Sequence, residues 1–156
     1  MPGPTADESA LRAWGGLLQV HADLVPTLDR LLQRSTGLPL AWYDVLLELN
    51  GAPGRRLRMG ELGERVVLSR TRVSRLVDEM ARAGLVVRVS DPDDRRSAHA
   101  ELTATGRNRL RAAAPVYLGG IHEHFSAHLE PGEAEVVAAA LWRVHSARRS
   151  PAEAQG

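Results

Sequence analysis

Residues 68 to 106, LSRTRVSRLVDEMARAGLVVRVSDPDDRRSAHAELTATG, admit few folds, because they read as a short basic helix followed at once by a two-stranded hairpin with a charged tip. Ser69 suits the N-cap: its hydroxyl can accept from backbone N–H groups of the first turn, which have no partner inside the helix. Val73, Leu76, Val77 and Met80 fall at spacings that gather them within roughly 100° of arc, so that face is predicted to be buried. Thr71, Ser74, Arg75, Asp78 and Arg82 point the other way, with Arg70 and Arg72 flanking them. Gly84 suits a left-handed C-cap, and the helix is expected over 69–83.

An isolated face of this kind would be a solvated helix that uses arginine. The preceding segment changes that reading. Residues 59 to 66, MGELGERV, form a short helical pattern with Met59, Leu62 and Val66 on one side, and Val67 to Ser69 separate it from the basic helix. Two short helices joined by a tight turn, the second polar and basic at its start, form the arrangement that places a helix in the major groove. Arginine suits the task, since its planar fork pairs with guanine O6 and N7 or clamps phosphate.

The hairpin adds a second contact. Leu85, Val87 and Val89 alternate along the outgoing strand, the turn-forming run Asp91-Pro92-Asp93-Asp94 follows, and Ala98, Ala100 and Leu102 alternate with His99 and Glu101 on the return strand. Arg95 and Arg96 sit on the tip, with Asp93 or Asp94 expected to brace one of them and leave the other aimed at DNA. A helix-turn-helix followed by a basic hairpin spanning 90–98 is a winged helix.

At these residues the chain resembles the MarR (multiple antibiotic resistance regulator) family of transcription regulators. DPDDRRSAHAELTATG is similar to that family's wing and the Leu-Thr-x-x-Gly lead into its next helix, GLPLAWYDVLLELN to its second helix, and HFSAHLEPGEAEVV to its last helix-to-helix corner. Gly60 stands where the family usually has a serine-like cap, and Gly63 where it usually has alanine. The resemblance implies a homodimer whose terminal helices interlock above two winged helices, and a crevice that takes small aromatic or phenolic ligands.

The rest of the chain is predicted to support this lobe. Fourteen arginines face eight acids within residues 55 to 111, whereas the remainder holds six arginines against eleven acids, so the basic surface is concentrated where DNA would lie. Residues 9 to 34 carry Leu11, Trp14, Leu18, His21, Val25, Leu28 and Leu32 at steps of three and four. That is a long helix with an apolar stripe too wide for one protomer to cover, interrupted by Pro26, where a kink is expected. Residues 40 to 50 read as a second helix and GAPGRRLR as a loop, whose Arg55 or Arg56 could touch phosphate. Thr103 is expected to cap another long helix, and Glu130-Pro131-Gly132-Glu133 to start the last, with proline in its first turn. The fold class is therefore mainly α with a small β-hairpin wing. A single domain over 1–156 is expected, with dimerisation helices at 9–34 and 107–146 around a winged-helix lobe at 40–106.

Thr71, Ser74 and Arg75 are the candidates for reading bases, with Arg72 able to read a base or hold phosphate. Ser69, Arg70, Arg95 and Arg96 are candidates for phosphate or minor-groove contact. Trp14, His21, Trp42 and Tyr43 are candidates to line a ligand pocket, against the plain reading that they are core or dimer packing. His122, His124 and His128 suggest a metal- or pH-responsive alternative, although His122 points away from the other two and no metal site is assigned. Zero cysteines exclude disulfides and thiol redox sensing. No run approaches the ~20 apolar residues of a membrane span, and a cytoplasmic location is expected. Nothing has the spacing of a catalytic site or a cofactor loop, so no enzyme activity and no cofactor are expected. The expected function is a dimeric, ligand-responsive repressor on an inverted-repeat operator. The competing reading is a winged helix used for protein contacts.

Overall fold

The computed structural model describes residues 7–66, 70–91, 94 and 97–149, excluding the side chains of Arg70, Thr71, Arg148 and Arg149. It divides into two compact units, Met1–Leu118 and Gly119–Gly156.

The first unit begins with α1 (Glu8–Thr36). Asp7 caps it, its carboxylate accepting from the Ala10 N–H at 2.8 Å, and Gly37 closes it in the left-handed conformation at φ 69. The helix runs unbroken through Pro26. Its stripe is buried only at the C-terminal end, at Leu28 and Leu32, whereas Trp14 keeps 58% of its surface exposed and Leu11 and Leu18 are exposed as well.

Helix α2 (Leu40–Gly51) starts after Pro39, which has no side-chain group to cap it. Asp29 of α1 supplies the acceptor instead, taking the Leu40 N–H at 2.8 Å and fixing α2 against α1. Val45, Leu46 and Leu49 are fully buried on the face that packs inward, as their spacing predicts. Tyr43 is buried too, its ring tilted against Tyr117 with centroids 4.5 Å apart.

Beside Tyr43, the carboxyl of Asp44 is pushed up to about 6, first by burial and then by Glu48 one turn on. The fold thus prefers protonated Asp44. Its stabilising contribution is full below about pH 4 and is lost as pH rises through about 6. Asp44→Asn should therefore gain stability at pH 8, on the order of 1 kcal/mol once solvent screening of the partly exposed carboxyl is allowed for, and little at pH 4. Urea unfolding across that range checks this; parallel curves for the two proteins would contradict it.

A three-residue turn at Pro53–Arg55 leads into β1 (Arg56–Arg58), α3 (Met59–Arg65), α4 (Arg70–Arg82), β2 (Val86–Ser90) and β3 (Ala98–Leu102). The strands form an antiparallel sheet in the order β1-β3-β2. Strand β1 corrects the expectation of a plain loop there: Leu57 is buried opposite Ala100, which gives the short stretch RLR a reason to pair. The register also corrects the outgoing wing strand. Val86 pairs with Leu102 and Arg88 with Ala100, so the inward face of β2 carries Val86 and Arg88, while Val87 and Val89 are exposed.

Thr103 caps α5 (Ala104–His124) as expected, its hydroxyl accepting from the Gly106 N–H at 2.9 Å. Arg109 donates to the Thr36 carbonyl at 2.9 Å, placing a cation at the C-terminus of α1.

The second unit contains the end of α5, a turn at Ser126–His128, and α6 (Glu133–Arg149). Residues 107–146 are thus two helices and a corner. Pro131 precedes α6 rather than sitting in its first turn, because Gly132 takes φ 88 and the Glu133 carboxylate accepts the Glu130 N–H at 2.8 Å. Val136, Trp142 and Val144 are exposed on α6, Trp142 at 66%.

Candidate nucleic-acid interface

Helix α4 buries the face its spacing predicts. Val73, Val77 and Met80 are buried against the lobe, with Leu76 half-buried at the edge of the stripe. Its C-terminus is locked by two bonds beyond the last turn, Gly84 N–H to Ala81 O at 3.0 Å and Leu85 N–H to Met80 O at 3.0 Å, with Gly84 at φ 74. Leu85 is buried beneath this cap. The helix is therefore held by its apolar face and its far end, leaving Arg72 and Arg75 exposed and Ser74 half-buried on the outer side.

Helix α3 precedes α4 as the first helix of a helix-turn-helix. Leu62 and Gly63 are buried. Arg65 donates to Glu61 at 2.7 Å and to Glu48 of α2 at 3.5 Å, joining α3 to α2.

Two arginines that the sequence pattern did not single out anchor the wing. Arg88, on the inward face of β2, donates to Asp78 at 2.8 Å and to Ser74 at 3.2 Å, tying the wing strand to the outer face of α4. Arg58, at the end of β1, pairs with the buried Asp91 at 3.3 Å, and the Ser97 hydroxyl donates to the same carboxylate oxygen at 3.2 Å. The Asp91 N–H also reaches the Ser97 carbonyl at 3.1 Å, closing the base of the wing loop. Ser74, Arg88, Arg58 and Ser97 open on one groove of about 500 Å³, which Glu61 and Glu64 also line. Strand alternation held the signal for Arg88, since Ala100 and Leu102 face inward and Arg88 lies opposite Ala100.

Asp91→Ala should leave Arg58 and Ser97 without their shared acceptor and cost about 1 to 2 kcal/mol. Amide exchange should speed up in β2 and β3 before the helices. Unchanged exchange in both strands would show that the wing base does not depend on this carboxylate.

Among the sequence candidates, the structure brings Arg72, Ser74 and Arg75 together on the outer face of α4. Ser69, Arg95 and Arg96 lie outside the described residues, as do the side chains of Arg70 and Thr71, and with them the bracing of a tip arginine by Asp93 or Asp94. Of the four pocket candidates, Trp14 and His21 are exposed on α1, Trp42 is half-buried, and Tyr43 lines a cavity between α2 and α5. His122 Nδ1 lies 3.1 Å from the Ser126 hydroxyl. No group of three or more histidines, aspartates and glutamates among the described residues is arranged to hold a metal ion. No helix among them is long and apolar enough to cross a membrane.

The sequence profile of the MarR family matches residues 36–97, the stretch from α2 to the wing. The transcriptional repressor MprA of Escherichia coli is 26% identical over 110 residues, covering 70% of this chain and 62% of MprA, so the match spans less than two thirds of that relative's length. AbsC of Streptomyces coelicolor, a MarR family transcriptional regulator, superposes with a TM-score of 0.81 at 28% identity, over 94% of this chain and 99% of AbsC. Sco3205 of the same organism, another MarR family regulator and solved in complex with DNA, gives 0.83 at 29% identity, over 93% of this chain and 94% of its own.

Proposed function

Because the chain belongs to the MarR family, we propose that it is a homodimeric, sequence-specific DNA-binding transcription regulator, acting as a ligand-responsive repressor from the cytoplasm. The observation that carries this reading is the outer face of α4, where Arg72, Ser74 and Arg75 stand beside a wing strand tied to the same helix through Arg88. A helix buried on one side and cationic on the other fits the major groove, with Thr71, Ser74 and Arg75 reading base edges and Arg72 reading a base or holding phosphate. Ser69 and Arg70 at the helix start and Arg95 and Arg96 at the wing tip would hold phosphate or enter the minor groove.

The dimer is supported by apolar surface in each unit. Leu11, Trp14 and Leu18 on α1, and Val136, Trp142 and Val144 on α6, are exposed in the single chain, and a second copy would cover them. A twofold dimer presents its two α4 helices about one DNA turn apart, roughly 34 Å, so the operator is an inverted repeat. Occupying a promoter in this way would block transcription, and MprA, a relative, is a transcriptional repressor by name. A small aromatic or phenolic ligand near Trp14, His21, Trp42 and Tyr43 would release the DNA by favouring another spacing of the two lobes.

Footprinting on DNA that the protein retains from a random pool tests the reading. Two protected segments of inverted sequence, centred about one helical turn apart, are expected, together with a dimer mass in solution. A monomer at micromolar concentration, or protection without a sequence in common, would overturn it. The second outcome would move the arginine face to an acidic protein partner.

A further inference from the structure

We propose that Arg88 of the wing is a positioning residue for DNA reading: it fixes the Ser74 hydroxyl as a hydrogen-bond donor and so directs Ser74 to the N7 atom of a guanine in the major groove. The inference rests on the DNA-binding reading above and assigns the kind of base edge that one of its residues reads.

Ser74 and Asp78 lie four residues apart on α4 and so share one face of the helix. A single nitrogen of Arg88 reaches both, Nη1 donating to the Asp78 carboxylate at 2.8 Å and to Ser74 Oγ at 3.2 Å. The strand holds that guanidinium in place. Arg88 pairs with Ala100 across the sheet and stands two positions after the buried Val86, which puts its stem on the inward side of β2 while 39% of the side chain stays exposed.

A serine hydroxyl donates one hydrogen bond and accepts two, so by itself it reads a donor or an acceptor on a base edge equally well. Beside Arg88 that freedom is lost. A guanidinium N–H points at Oγ and turns the hydroxyl proton away from itself, and among the described residues no acceptor takes that proton. Accepting from a cation also polarises the O–H bond and strengthens it as a donor. An amino group brought to the same oxygen, adenine N6 or cytosine N4, places its hydrogens beside the Arg88 charge and is disfavoured. Of the acceptors in the major groove, guanine O6 and thymine O4 already accept from the paired base, whereas a purine N7 has no partner in the duplex. Guanine N7 lies next to O6, a second acceptor, and adenine N7 next to an amino group, so the cation behind Ser74 selects guanine.

The operator selected by the parent protein tests this when each guanine is replaced in turn by 7-deazaguanine, in which a C–H stands for N7. At one guanine in each half-site the replacement should weaken binding by the parent about threefold or more, the worth of one hydrogen bond, and should cost Ser74→Ala nothing. Arg88→Met should lose most of that cost as well, whereas Arg88→Lys should keep it, because one nitrogen makes both bonds. A side chain that only braced the wing would act differently. Arg88→Met would then weaken the operator and its analogues alike, with the cost of 7-deazaguanine as in the parent, and that result overturns the proposal. So does a scan in which Ser74→Ala removes the cost at no position, a comparison that stands even if Arg88→Met fails to fold. A parent that selects no common sequence would instead overturn the DNA-binding reading, and this inference with it.

Discussion

Gly106→Ala should destabilise the protein by about 3 kcal/mol or more, because the new methyl group has no room and its neighbour cannot move aside. A Cβ at this position would run into the Leu85 carbonyl oxygen and stand 2.8 Å from Leu102 Cδ1. That oxygen is pinned, accepting from the Thr103 N–H at 3.2 Å and sharing the single Thr103 hydroxyl proton, at 2.9 Å, with the Gly84 carbonyl at 2.7 Å. The same hydroxyl caps α5 through the Gly106 N–H, so relief of the clash breaks the cap, the end of the wing or both. The requirement is for close approach of two backbones, and a positive φ plays no part. Gly60→Ala is the contrast: a Cβ there meets nothing within 4 Å, and the change should be neutral or gain a few tenths of a kcal/mol from helix propensity. Thermal melts of the two variants should part by about 10 °C. A Gly106→Ala protein as stable as its parent would mean that the junction between the wing and α5 is looser than described.

Replacing Arg72 and Arg75 together by alanine should lower affinity for the selected operator by about 3 kcal/mol or more, on the order of a hundredfold, with no loss of stability. Both side chains are exposed, and the helix is held by Val73, Val77 and Met80 on its other face. The single changes should separate their roles. If Arg75 reads a base, Arg75→Ala costs about 1 to 3 kcal/mol on the operator, relaxes the preference at one position, and leaves affinity for unrelated DNA nearly unaltered. An arginine on phosphate instead weakens all sequences alike and reduces the salt slope by about one. Binding curves on operator and scrambled duplexes decide between these, and equal losses on every sequence for Arg75→Ala would assign it to the backbone.

The helices were legible in the sequence because their buried faces repeat over three or more turns. Val73, Val77 and Met80 on α4, and Val45, Leu46 and Leu49 on α2, are buried as their spacing predicts. The Leu-Thr-x-x-Gly motif was legible as a helix start, but the reason for its glycine was not, since the Leu85 carbonyl comes from a residue about twenty positions earlier. Strand β1 has no signature in the sequence because three residues carry no period, and only pairing with β3 makes RLR a strand. The alternation of Leu85, Val87 and Val89 marks a strand but leaves its phase open; Ala100 and Leu102 on the partner strand decide it, and they put Val86 and Arg88 inward. The arginines of α4 were legible as a candidate face from composition and helical position. Arg58, Arg88 and Asp91 were not, because their importance lies in partners 6 to 33 residues away.

The central claim, that α4 and the wing form a surface that reads DNA sequence, is tested most directly by a mobility-shift titration. The DNA flanking the protein's own gene would be compared with a scrambled fragment of equal length at two salt concentrations. Tight binding to the flanking DNA, weaker binding to the scrambled fragment, and a steep loss of both as salt rises are expected. Equal affinity for both fragments, or no binding at low salt, would contradict it.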